Sequence, residues 1–294
     1  MKVAAAASVS EALRAAARRL RASGSRSPRL DAELLLATAL GAERVALMTE
    51  PERVLTPIEE RRFEGYLRRR EAHEPIAYIR RRRAFRTLEL EVTPDVLIPR
   101  PETETLVDVA LEALAAARAV YGEPLALDLG TGSGCIALAL AAEDPFVRVT
   151  AVDVSAAAVE LARHNAARLG LGGRLRILHS DRFAALPPEE RFDLIVSNPP
   201  YIPAAEYEAL EPNVRDYEPR LALHGGADGL DVYRRLVPEA LGRLRAGGTL
   251  ALEVGAGQAA AVRELFAAAA GYGAPLERAD LGGVARVVWA AKAA

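Results

Sequence analysis

The sequence predicts an α/β fold: a doubly wound sheet from about residue 101 onward, preceded by a small all-helical domain and a β-hairpin linker. Three observations point to it. From Leu125 on, short apolar runs alternate with segments of helical periodicity, the pattern of a parallel sheet covered by helices. A glycine-rich stretch, Asp128-Leu-Gly130-Thr131-Gly132-Ser133-Gly134, lies between the first apolar run and the first such helix. A later apolar run, Phe192–Ser197, ends abruptly at Asn198-Pro199-Pro200, where two prolines forbid any further strand or helix.

Residues 1–72 carry helix signals throughout. Ser8 with Glu11 forms a capping box ahead of Leu13, Ala16, Ala17 and Leu20 at helical spacing. Ser27-Pro28 opens a second helix, with proline at its favoured first position, and Gly41 ends it. Thr56-Pro57-Ile58-Glu59 is another capping box, opening a helix that ends near Ala72. Between 73 and 100, Phe85, Leu88, Leu90 and Val92 suggest a strand, Thr93-Pro94-Asp95 a turn and Val96-Leu97-Ile98 a returning strand. Arg80–Arg83, just before it, is expected as a solvated loop. A helix then runs to about Val120.

The sheet is predicted from strands Leu125–Leu129, Val147–Val152, Leu175–Leu178, Phe192–Ser197 and Thr249–Val254, with a closing antiparallel pair at Pro275–Asp280 and Val284–Ala290. Helices are expected at Cys135–Ala142, Ala156–Arg168, Val232–Leu244 and Gln258–Ala270. In such a sheet, ligands bind outside the carboxyl ends of the strands.

Composition narrows the function. A net charge of −2 and 51% hydrophobic residues describe an ordinary globular chain and not a generic nucleic-acid coat. Thirty-eight residues are Lys or Arg, yet only Lys2 and Lys292 are lysines. The single cysteine, Cys135, allows no intrachain disulfide and suits a reducing compartment. The four histidines show no metal-ligand spacing, and no apolar span is long enough to cross a membrane. A cytoplasmic enzyme without metal is expected.

The glycines of 130–134 let the backbone turn sharply and approach a ligand closely. Their G-x-G-x-G spacing is not the dinucleotide fingerprint, and no Gly-Lys-Ser/Thr follows to make a triphosphate loop. A nucleoside with an amino-acid tail fits better. Asp153, at the end of the second strand, can accept both ribose hydroxyls. Asp181 and Arg182, after the third, fall where the adenine would lie. The ordered set implies S-adenosyl-L-methionine, held by Gly130, Thr131, Gly132, Ser133, Gly134, Asp153, Asp181 and Arg182. Beyond Asn198, Pro199 and Pro200 offer only carbonyl acceptors on a stiff path, and Tyr201 offers an aromatic face. Two acceptors and an aromatic wall suit a planar –NH2 group, so Asn198, Pro199, Pro200 and Tyr201 are the candidate catalytic and substrate-binding residues.

Several stretches carry a family resemblance: Glu74-Pro-Ile-Ala-Tyr78, Leu97-Ile-Pro-Arg-Pro-Glu-Thr-Glu104, Asp128–Gly134, Ser197–Tyr201, Tyr217-Glu-Pro-Arg-Leu-Ala222 and Gly225-Gly-Ala-Asp-Gly229. The chain resembles the protein-(glutamine-N5) methyltransferases that modify peptide chain release factors, the PrmC/HemK family. Asn-Pro-Pro-Tyr alone is shared with adenine-N6 methyltransferases of DNA and RNA, which are the alternative reading. The resemblance implies a seven-stranded Rossmann-like methyltransferase domain at 101–294, a linker at 73–100 and a substrate-docking domain at 1–72. It also implies that Asn198 contacts the cofactor and that the partner is a release factor and not nucleic acid, and a monomer is expected. The chain departs from the family pattern at Arg80–Arg83, where a glycine is common, and at Arg182, where an aromatic often stands and an arginine plane takes its place.

Overall fold

Residues 7–293 are described by a computed structural model and group into two compact units. The first comprises the chain through Arg82 together with Glu211–Tyr217. Its helices are α1 (Val9–Ala22), α2 (Pro28–Leu40), α3 (Ala46–Thr49), α4 (Pro57–Glu71) and α5 (Ile76–Arg80). Both predicted capping boxes form: Ser8 and Glu11 satisfy each other's backbone N–H groups at the start of α1, as Thr56 and Glu59 do at α4. Gly41 ends α2 in the left-handed conformation, with φ +63°. Leu20, Leu35, Leu36, Leu55 and Phe63 fill the core between these helices. Arg19 of α1 reaches Glu64 and Glu71 of α4, so the two helices are also tied by charge.

The second unit comprises Arg83–Leu210 and Glu218–Ala294. It opens with a hairpin of β1 (Arg83–Phe85) and β2 (Leu88–Leu90), followed by α6 (Thr103–Tyr121). The chain then alternates through β3 (Leu125–Leu129), α7 (Cys135–Glu143), β4 (Arg148–Asp153), α8 (Ala156–Arg168), β5 (Leu175–His179) and β6 (Phe192–Ser197). Two short helices follow, α9 (Ala204–Tyr207) and, in the segment that belongs to the first unit, α10 (Pro212–Arg215). The last elements are α11 (Asp231–Leu241), β7 (Leu244–Glu253), α12 (Ala259–Ala268), β8 (Leu276–Ala279) and β9 (Ala285–Ala291).

The seven strands lie in the order β5-β4-β3-β6-β7-β9-β8. All pairs are parallel except those of β9, which runs antiparallel between β7 and β8. The chain reverses its direction of progress across the sheet at β3, because β4 is laid on one side and β6 on the other. The carboxyl ends of β3, β4 and β6 therefore border the crevice where ligands bind in such sheets. Apolar clusters on both faces bury the strands, Val149, Ala151 and Val196 toward one and Val152, Ile195 and Leu250 toward the other.

Four expectations need correction. The hairpin is shorter than predicted and turns at Arg86-Thr87, not at Thr93–Asp95. Residues 96–98 form no returning strand; the N–H of Ile98 donates to the buried carboxylate of Glu218 at 3.0 Å. The Arg80–Arg83 run is a solvated loop only at Arg81 and Arg82, which are exposed: Arg80 ends α5, Arg81 caps it with φ +56°, and Arg83, half-buried in β1, donates to the Pro99 carbonyl at 3.1 Å. Strand β7 begins at Leu244 and not at Thr249, since its Gly247-Gly248 pair sits beside an irregularity in the β6 ladder. A Cβ on Gly248 would lie 2.9 Å from the Phe192 carbonyl, so glycine permits the close pairing.

Candidate active site

The glycine-rich stretch leaves β3 and enters α7. Gly130, Gly132 and Gly134 all take positive φ, +74°, +55° and +85°, which other residues adopt only with strain. A Cβ built on Gly130 or Gly132 would meet no protein atom within 4 Å, so those positions open onto free space. At Gly134 it would collide with Leu138 at 2.9 Å, so this glycine serves helix packing. The loop is held from behind on several sides. Asp128 accepts from Thr131 Oγ1 at 2.7 Å and from the N–H of Ala137 at 3.2 Å. Asn165 of α8, fully buried, donates to the Ser133 and Glu91 carbonyls at 2.9 and 3.0 Å.

Asp153 stands at the end of β4 with its carboxylate turned toward the loop. One oxygen accepts from the N–H of Gly132 at 2.8 Å and the other from the N–H of Ser155 at 2.9 Å. Each oxygen retains a lone pair, so the carboxylate fixes the loop while keeping capacity for a ligand's hydroxyls. Burial, with the Asp153 charge nearby, pushes the Asp128 carboxyl up to about 7. Arg182 adopts φ +49° and is pinned by Glu239 and Asp181, each at 2.8 Å. Its guanidinium is therefore held in one orientation.

Strand β6 delivers the Asn-Pro-Pro turn beside this loop. Ser197 Oγ donates to the Leu129 carbonyl at 2.7 Å and locks the ends of β6 and β3 together. Asn198 Nδ2 donates to Thr103 Oγ1 at 3.3 Å, which leaves its Oδ1 as an acceptor. Behind the turn the packing is main chain against main chain. Cβ atoms on Gly225 and Gly229 would fall 2.7 Å from the Pro200 carbonyl oxygen and 2.3 Å from that of Tyr201. Ile202 exchanges backbone bonds with Leu223 and Gly225, and Gln258 Nε2 donates to the Tyr201 carbonyl at 2.9 Å.

Loop and turn share one cavity of about 420 Å³. Gly130, Thr131, Gly132, Ser133, Asp153, Asp181, Arg182, Asn198, Pro199 and Pro200 all line it. Gly134 and Tyr201 do not. Tyr201 packs its ring against Gly255 and the core beneath β7, and burial lifts its hydroxyl to about 12.

Sequence reasoning missed several contributors. Asp95, Val96, Leu97, Pro99 and Arg100 form one side of the cavity, and Pro219, Leu221 and Ala222 another. Glu218 joins the two: its side chain, 1% exposed, accepts from the N–H of Ile98 and pairs with Arg100 at 2.5 Å. These stretches were visible as motifs without assigned roles. Thr103 and the buried Glu253 at the end of β7 were also missed; the available signal was an acid closing an otherwise apolar strand.

The chain matches the family model for the PrmC N-terminal domain over residues 11–80 and that for the methyltransferase small domain over 102–214. It is 45% identical over 258 residues to a release factor glutamine methyltransferase of Caulobacter vibrioides, covering 87% of this chain and 86% of that one. It is also 45% identical to the enzyme of that name from Geobacter sulfurreducens, over 90% of both chains. A methyltransferase structure from Pyrococcus furiosus superposes with a TM-score of 0.51 at 24% identity, covering 79% of this chain and 98% of that one, a likeness of fold. A helical amino-terminal unit, a parallel sheet with a glycine loop, and an Asn-Pro-Pro-Tyr turn facing that loop are thus continuous with relatives of near-equal length: the chain belongs to the release factor glutamine methyltransferase family.

Proposed function

We propose that this protein transfers the methyl group of S-adenosyl-L-methionine to the side-chain amide nitrogen, N5, of the glutamine in the Gly-Gly-Gln motif of peptide chain release factors. The observation that carries this reading is the opening of Asn198, Pro199 and Pro200 onto the same cavity as the glycine loop and Asp153. The lining fits the cofactor: Gly130 and Gly132 leave a cradle that side chains would fill, and Ser133 Oγ is buried without a hydrogen-bond partner. When bound, S-adenosyl-L-methionine supplies an electrophilic methyl on a sulfonium, with Gly130–Ser133 and Asp153 as its holders and Asp181 and Arg182 at the base end.

An amide nitrogen is a weak nucleophile because its lone pair is delocalised into the carbonyl. Asn198 Oδ1 and the Pro199 carbonyl would accept its two hydrogens, turning the lone pair toward the methyl donor and favouring charge on nitrogen as the new N–C bond forms. Transfer would leave the cofactor as its thioether, the bonding electrons staying on its sulfur, and would release the amide proton to solvent. Positioning and exclusion of water dominate, with no strong general base required. The helical unit is assigned to docking the release factor, supported by the exposed Val45, Met48 and Ile58 on its surface. A cytoplasmic site of action follows from a translation factor as substrate.

Labelled S-adenosyl-L-methionine incubated with release factor in one tube and with DNA or RNA in another tests the assignment. Label in the release-factor glutamine supports it; label on adenine alone overturns it in favour of an adenine-N6 methyltransferase. For the cofactor half of the site, Asp153→Ala is expected to weaken binding by ~1.5–3 kcal/mol, the cost of losing hydrogen bonds to a charged group. Calorimetry on the folded variant reads this directly, and unchanged affinity would remove Asp153 from the ribose site.

A further inference from the structure

Asn198 grips an acceptor amide only in one of its two flips, with Oδ1 and not Nδ2 toward the cavity. What fixes that flip is a buried chain of polar groups. Asn198 Nδ2 donates to Thr103 Oγ1, and Thr103, the first residue of α6, is 2% exposed. A hydroxyl that accepts one hydrogen still has its own to place. The carboxyl of Glu253, itself 1% exposed at the end of β7, is the neighbouring acid on which the Thr103 hydroxyl acts, although the two form no hydrogen bond of ordinary geometry in this structure. Glu253 Oε2 is buried with no hydrogen-bond partner, so this carboxyl is poorly served as a structural anchor.

We infer that Thr103 and Glu253 are positioning residues for methyl transfer: ionised Glu253 takes the hydrogen of the Thr103 hydroxyl, Thr103 takes a hydrogen of Asn198, and Asn198 Oδ1 is thereby held toward the acceptor. This rests on the role given to Asn198 above. The chain runs in the opposite sense when Glu253 is protonated. Its carboxyl then donates to Thr103, the Thr103 hydrogen turns to Asn198 Oδ1, and the amide presents Nδ2 to a substrate that is itself a donor.

Burial raises the Glu253 carboxyl to about 7, so the reversal falls within reach of ordinary pH. Its charged neighbours are Arg286 on β9 and Arg100, which favour ionisation, and Glu102, which opposes it. Arg286 is also paired with Asp280, and Arg100 with Glu218. Tyr201, Tyr233 and Cys135, which face the same region, are pushed up by burial and stay neutral throughout this range.

The test uses the full chain, S-adenosyl-L-methionine and release factor, with kcat and KM measured from about pH 5.5 to about pH 8.5 across the ionisation range. Thr103→Val, which keeps the shape and removes the hydroxyl, is expected to lower kcat by up to about 100-fold, the scale of a misplaced reactive group. Cofactor affinity by calorimetry should not change, and Thr103→Ser should restore the rate. Parent kcat should fall on acidification with a midpoint near that of Glu253. Glu253→Gln should be slow and flat with pH, because its amide can donate permanently to Thr103. In the protein without substrate, the Asn198 side-chain amide NMR signal should move with pH along the same midpoint and stand still in Glu253→Gln. Asn198→Ala separates the two levels. If it is slow while Thr103→Val turns over at the parent rate, or if the Asn198 amide signal does not titrate, the relay is wrong and the site survives. If Asn198→Ala itself turns over at the parent rate, the assignment of the turn fails.

Discussion

Asn198→Ala is expected to lower turnover by roughly 10²–10³-fold, the usual loss for one preorganised contact to developing charge, while cofactor affinity changes little. The side chain has one polar anchor, Thr103, and one oxygen left for the acceptor. Its contact strengthens as positive charge builds on the attacking nitrogen, so the loss appears in kcat and not merely in KM. Asn198→Asp is the sharper variant. It keeps size and an acceptor but puts a carboxylate where the sulfonium must lie, stabilising the bound ground state. It should bind cofactor at least as tightly as the parent and still be slow. Single-turnover methylation of release factor at saturating cofactor measures both variants, and parent rates in both would show the turn to be structural only.

Gly229→Ala should damage folding and turnover together. Gly229 has φ +80°, and a Cβ there would lie 2.3 Å from the Tyr201 carbonyl oxygen and 2.5 Å from Gln258 Nε2. Those two atoms are partners in a 2.9 Å hydrogen bond, so the methyl group would wedge into the contact that fixes the turn. A left-handed alanine costs ~1–2 kcal/mol and forced overlap another ~1–3 kcal/mol. A fall in melting temperature of roughly 5–10 °C follows for a chain of this size, with kcat reduced more than cofactor affinity. Gly173→Ala is the control: its φ is ordinary and a Cβ meets nothing within 4 Å. A Gly229→Ala variant that melts and methylates like the Gly173→Ala control would contradict this account of the turn.

Most of the sheet was legible because buried parallel strands are bare apolar runs with hard stops. Leu125–Leu129 ends in glycines and Phe192–Ser197 in prolines, and both strands occupy those residues. The position of the hairpin's turn was not legible, because that turn carries neither glycine nor proline. Arg86 turns with φ +49° since its N–H donates to Glu104 at 3.0 Å and its guanidinium reaches Asp108 and Glu143, contacts made only in the folded chain. The candidate site divides the same way. The glycine loop, Asp153 and Asn198 could be placed from strand ends alone, and the fold brings them to one cavity. Tyr201, read as an aromatic wall, is not among the residues lining that cavity, because sequence shows that a ring is present and not which side of the backbone it takes. Thr103, Glu218 and Glu253 needed the fold itself to bring them to the turn.

The backing of the Asn-Pro-Pro turn also bears on how this protein can change. Gly225, Gly229 and Gly255 leave no room for a Cβ against Pro200 and Tyr201, so the floor beneath the acceptor consists largely of main chain. Main chain offers mutation little to exchange: the floor can be broken by a substitution but hardly reshaped by one. Leu97, Leu221 and Arg235, at the mouth of the same cavity, carry side chains that can vary without disturbing it. Evolvability is therefore lopsided, with the main-chain floor of the turn resistant to change and the side chains elsewhere in the cavity lining open to it.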